Sequence, residues 1–131
     1  MNYLAIVVAG IAAWIIGAIW YGPIFGKKWQ KEVGLSDETL KGGNMPLIFG
    51  TSLILMIMMM YGMSFLIAAH EDISWTHGFF HGCMTGIFFA ATSMGINYLY
   101  QRRSITLYAI DAIYQILFLG VGGAIMALMG V

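Results

Sequence analysis

The chain has 131 residues, of which 60% are apolar and only 9% charged, and six basic side chains balance six acidic ones. An average soluble domain is about 25% charged, whereas four membrane-crossing helices of about 20 residues need about 80 apolar positions, which this composition supplies. The balanced charge leaves no electrostatic footprint for nucleic acid, and the lone Cys83 excludes an intramolecular disulfide or a cysteine-built zinc cluster. These proportions define an all-α, polytopic membrane protein, a single integral-membrane domain over residues 1–131 with the lipid bilayer as its principal partner.

Apolar stretches at residues 3–21, 46–69, 75–100 and 105–129 are each long enough to cross a hydrocarbon core about 30 Å thick, and together they predict a four-helix transmembrane bundle. Eleven of the twelve charges fall between them: Lys27, Lys28, Lys31, Glu32, Asp37, Glu38 and Lys41 in the first connection, Glu71 and Asp72 in the second, Arg102 and Arg103 in the third. Only Asp111 lies within a span. The first stretch has no basic residue before it and no small-x-small site after it, so it reads as a retained anchor and not as a cleaved leader. Pro23 is expected to stop the first helix. Residues 25–33, with Trp29 and Val33 among the lysines, then read as a short amphipathic helix on the anionic inner leaflet, ended by Gly34. Ser36 is placed to N-cap a second short turn over 37–41, with Asp37 and Glu38 at its positive end and Gly42–Gly43 closing it. Four lysines in the first connection and two arginines in the third, against none in the second, place residues 22–45 and 101–104 in the cytoplasm and both termini outside. Trp20, Tyr21, Trp29, Tyr98 and Tyr100 then form the cytoplasmic aromatic belt, with Tyr3 and Trp75 at the outer interface.

Small residues recur every four positions. Ala5, Ala9, Ala13 and Gly17 do so in the first span, Ser74, Gly78, Gly82, Gly86 and Ala90 at and in the third, and Gly120–Ala124 and Gly123–Ala127 in the fourth. Each set makes a face nearly free of side chains, along which two backbones can approach closely. Packing within one bundle is the plainer use of these faces. Contact between copies of the chain is the other, and three such faces are more than one small bundle strictly needs.

The turn Trp20-Tyr21-Gly22-Pro23-x-Phe25-Gly26-Lys27-x-Trp29, after an opening Met1-Asn2-Tyr3-Leu4-Ala5, resembles a bacterial family of four-helix membrane proteins catalogued as a domain of unknown function. A second resemblance lies in Asn97-Tyr98-Leu99, the basic pair at 102–103, and Asp111-x-x-Tyr114-Gln115. Members of that family often carry Asn where this chain has Asp111 and His where it has Gln115, so the polar character is shared but the charge is not. The resemblance implies the four-helix architecture and a bacterial inner (plasma) membrane. It carries no activity with it.

Three polar groups could bear chemistry. Asp111 lies about 9 Å into the fourth helix, where an ionised carboxylate costs up to about 3 kcal/mol on insertion scales. Gln115 and Tyr114 follow one turn on, Tyr108 precedes, and Asn97 and Tyr98 descend to the same end of the third helix. This set reads either as a proton or cation relay or as a clasp between helices, with Arg102 or Arg103 snorkelling back to Asp111. His77 and His81, one turn apart with His70, Glu71 and Asp72 just before them, have the spacing of a metal-chelating pair. Gly78 stands where a zinc protease needs its glutamate, so catalysis is not expected there. Met56, Met58, Met59, Met60 and Met63 could bind Cu(I), but they point around most of the helix and read as flexible apolar filler. Cys83 reads as an inert small residue.

No catalytic triad, phosphate loop or CxxC is present, so the chain is not expected to be an enzyme or to need a cofactor. The foremost expectation is a homo-oligomeric transport or permeation protein for a small solute or ion, which requires either a second copy or a polar path between helices. A membrane accessory or scaffold, binding lipid or a partner protein through the Trp29 segment, is the alternative. An intramembrane enzyme using His77, His81 and Asp111 ranks third.

Overall fold

The computed structural model describes all of residues 1–131 as helices and their connections. In chain order these are α1 (Tyr3–Ile24), α2 (Gly26–Val33), α3 (Asp37–Lys41), α4 (Met45–Ala68), α5 (Trp75–Tyr100) and α6 (Ile105–Leu128). Four of them, α1, α4, α5 and α6, are long and apolar enough to cross a membrane. Each of the four opens on a polar cap: Asn2, Asn44, Ser74 and Ser104 accept a hydrogen bond from the backbone N–H three residues on. Such caps satisfy one of the donors that a helix start leaves free, which matters most where water is scarce.

Pro23 does not stop α1. The helix continues as a π turn over Trp20–Ile24 with Pro23 inside it. Proline has no N–H to return to the preceding turn, and the chain closes a wider ring instead, Phe25 N–H donating to the carbonyl of Trp20 at 2.8 Å. A second π turn, Gly86–Ala91, interrupts α5. Thr92 Oγ1 donates to the Phe88 carbonyl at 2.6 Å and Tyr108 donates across to Ala91 at 2.8 Å, so hydroxyls occupy carbonyls at and beside the turn.

The last helix is the centre of the bundle. Leu107, Phe118, Leu119 and Met126 of α6 are almost completely buried, with α5 along one side and α1 along another. The glycine stripe of α5 faces α6 directly. A Cβ on Gly82 would strike the backbone of Leu119 and lie 2.8 Å from Gly120 Cα, and one on Gly86 would lie 2.7 Å from Ile116 Cα. Gly78 and Gly123 likewise face each other's backbones. The alanines of the first span, Ala5, Ala9 and Ala13, enter the core beside Met60, Tyr114 and Phe118, and Gly17 lies under the Tyr114 ring. The small-residue faces are therefore filled within one chain, where close backbone approach gathers dispersion contacts. Contact between copies has to use other surfaces.

The short helices dock on the bundle. Gly34, at φ 76°, closes α2 in the left-handed conformation that glycine adopts freely, and Ser36 caps α3 through Thr39 N–H. Trp29 meets the ring of Tyr21 edge-on at 5.8 Å, and Glu32 accepts from Ser104 Oγ at 2.6 Å. The apolar side of α2 thus turns toward α1, and its far end is tied to the start of α6.

Candidate functional site

The elbow at the end of α1 builds the first part of the site. The π turn carries Trp20 and Tyr21 toward α6, where Trp20 Nε1 donates to the Ile110 carbonyl at 3.0 Å. Tyr21 donates to Asp111 Oδ1 at 2.5 Å, while Tyr98, from the end of α5, donates to Asp111 Oδ2 at 2.5 Å. One carboxyl group, 7% exposed, so joins three membrane-spanning helices through two phenols. The rest of the motif supports this contact. Phe25 lies against Trp20 with ring centroids 4.6 Å apart, Trp29 meets Tyr21, and a Cβ on Gly26 would come within 2.5 Å of the Tyr21 carbonyl.

The partners of Asp111 differ from those read in the sequence. Neither Arg102 nor Arg103 reaches it; Arg103 Nε bonds Gln101 instead. Asn97 is exposed and stays outside the group. Tyr114 donates to the Ala13 carbonyl at 2.8 Å, fastening α6 to α1, and Gln115 faces away into a cleft. Tyr21, read only as part of an aromatic belt, is the partner that was missed. Its signal in the sequence is Pro23, which forces a rearranged turn at that point.

The cleft lies between α4 and α5 and has a volume of about 560 Å³. It exists because α4 meets α5 only over the first stretch of that helix, up to Thr85, and the two helices part beyond it. Met59 and Met63 form one wall, Thr85, Phe89 and Ser93 the other, with Gln115 and Leu119 of α6 at the back. The second π turn sits in this wall, a local irregularity common at functional sites. Thr85 donates to the His81 carbonyl, but Gln115 and Ser93 have no partner within the chain. No buried side-chain polar atom is left without a hydrogen bond, so the half-buried Gln115 presents its amide to the cleft, and the exposed Ser93 lines the same space.

At the connection between α4 and α5, His81 pairs with His70 and not with His77. The two rings lie 4.5 Å apart, one turn beyond Leu66 and one turn before Thr85, which edge the cleft. His77 is exposed, and its Nδ1 lies 3.1 Å from Ser74 Oγ at the helix cap. Nowhere do three His, Cys, Asp or Glu side chains converge as they would around a metal ion.

These features define a small multi-pass membrane protein with an acid–phenol clasp at one end and a lateral cleft, open between two of its spans, beside it. The chain belongs to the family described as protein of unknown function (DUF1761), whose model matches residues 4–127. No curated protein and no solved structure matches it.

Proposed function

We propose that the protein is a non-catalytic permeation protein that passes a small solute or ion along the α4–α5 cleft, and that it works as a homo-oligomer. The observation that carries this reading is Gln115, an unpartnered amide about 15 Å along α6, near mid-membrane, opening into the cleft. A polar side chain in that position is rare and points to a pathway or ligand. Polar groups continue in both directions: Thr85 and the His70–His81 pair toward the α4–α5 connection, Ser93 and then the Asp111–Tyr98 pair toward the other end. The path has no wall on the lipid side, because α4 and α5 are the least buried spans. A second copy of the chain supplies that wall. Flux into proteoliposomes tests the proposal, with protons, monovalent cations and small neutral solutes each offered in turn. Uptake above that of protein-free vesicles, abolished by Gln115→Leu and kept by Gln30→Ala, is the expected result. No flux of any of them overturns it.

A further inference from the structure

We propose that the groove between α1 and α4 seats one anionic phospholipid from the leaflet on the lysine-rich side, its acyl chain in the groove and its phosphate among Lys27, Lys28 and Lys41. This site is separate from the cleft and does not rest on the permeation reading. α1 and α4 touch where a Cβ on Gly10 would come within 3.0 Å of Ile57 Cα, and they part from there toward Tyr21 and Ile48. The space between them holds about 550 Å³, within the range of about 300–1,000 Å³ typical of small-ligand sites. Trp14, Ala18, Ile48, Phe49 and Met56 line it, and the Tyr114 ring forms part of its wall. It is almost wholly apolar: Tyr114 spends its hydroxyl on Ala13 and Ser52 spends its own on Phe49. Gly22, with nothing within 4 Å, leaves the end beside the lysine-rich connection open.

The chemistry of that end names the occupant. Lys27 and Lys28 open α2 directly beyond α1, and Lys41 ends α3 just before α4 begins, so the chain sets cations next to the ends of both helices that form the groove. Four lysines outnumber the three acids of this connection, and two of those acids bond neutral partners, Glu32 accepting from Ser104 and Asp37 from Gln30, so neither is held against a lysine. An apolar slot at membrane depth under a cationic rim fits a lipid with an anionic head better than a zwitterionic lipid, a free phosphate or a peptide.

Native mass spectrometry of delipidated protein, titrated with phosphatidylglycerol or with phosphatidylcholine of the same acyl chains, tests the site. One phosphatidylglycerol is expected to be retained preferentially, with a loss of about five-fold for each of Lys27→Gln, Lys28→Gln and Lys41→Gln. Ala18→Phe and Ser52→Phe, which fill the groove, are each expected to abolish retention, and glycerol phosphate is expected not to compete. Equal retention of the two lipids by the unaltered protein overturns the proposal. So does phosphatidylglycerol retention that survives both groove-filling variants or yields to glycerol phosphate, since the lysines would then hold headgroups without a seated chain.

Discussion

Gly82→Ala separates packing inside the chain from packing between chains. The added Cβ would collide with the Leu119 carbonyl and lie 2.8 Å from Gly120 Cα, and both obstacles are backbone of α6 that cannot swing aside. α5 and α6 must then separate along their largest contact, an overpacking that costs about 1–3 kcal/mol. Against this, alanine is favoured over glycine inside a helix by about 1 kcal/mol. Gly62→Ala and Gly50→Ala are the controls, because a Cβ at either position meets nothing within 4 Å. They should be neutral or stabilising by up to about 1 kcal/mol. Reversible unfolding in mixed micelles, followed by circular dichroism and paired with sizing of the folded protein, measures both stability and assembly. Gly82→Ala should lose up to about 2 kcal/mol with no change in subunit number. A variant as stable as the parent but smaller in assembly would refute the reasoning, because the glycine face would then lie between copies.

Other perturbations probe the clasp and the elbow. Tyr21→Phe and Tyr98→Phe each remove one donor to Asp111 and should each cost about 0.6–2 kcal/mol in the same unfolding measurement. Together they should cost more than their sum, because the carboxyl group loses both donors; strict additivity would show that the two bonds do not share one acceptor. Gly26→Ala places a Cβ 2.5 Å from the Tyr21 carbonyl and should shift Trp29 fluorescence and weaken the elbow, whereas Gly22→Ala, facing open space, should change neither. His70→Ala and His81→Ala should each speed hydrogen exchange over residues 66–72, since the ring contact between them bridges α4 and α5. Unchanged exchange in both would mean that the histidine pair bears no load.

The spans were legible because charge is so sharply segregated. Of twelve charged residues only Asp111 sits inside a membrane-spanning helix, and Ser36 and Gly34 mark the ends of the short helices by ordinary capping chemistry. The small-residue stripes of α1 and α5 were legible too, as was their plainer use. The π turn at Trp20–Ile24 was not, because the local rule for proline is to end a helix. Here that rule yields to the docking of Trp20 and Tyr21 on α6. The clasp was half legible: the lone intramembrane acid and Tyr98 were in view, but Tyr21 is 90 residues away in sequence and no periodicity records that contact. The histidines misled because the i, i+4 spacing of His77 and His81 is a rule within one helix, while the chain folds His70 back across a connection and leaves His77 at a cap. The cleft follows from the parting of α4 from α5 beyond Thr85, which composition does not encode.

Water access to the cleft is the most direct test of the permeation reading. With Cys83→Ala as background, single cysteines at Ser93 and Gln115 in the cleft are compared with single cysteines at Phe88 and Ile113, which are exposed on the outer surfaces of their helices. A charged, membrane-impermeant thiol reagent applied to reconstituted protein should label the first pair and spare the second. Ser93→Cys and Gln115→Cys that stay as unreactive as Phe88→Cys would contradict the pathway, and the cleft would then be a lipid-filled seam between two helices.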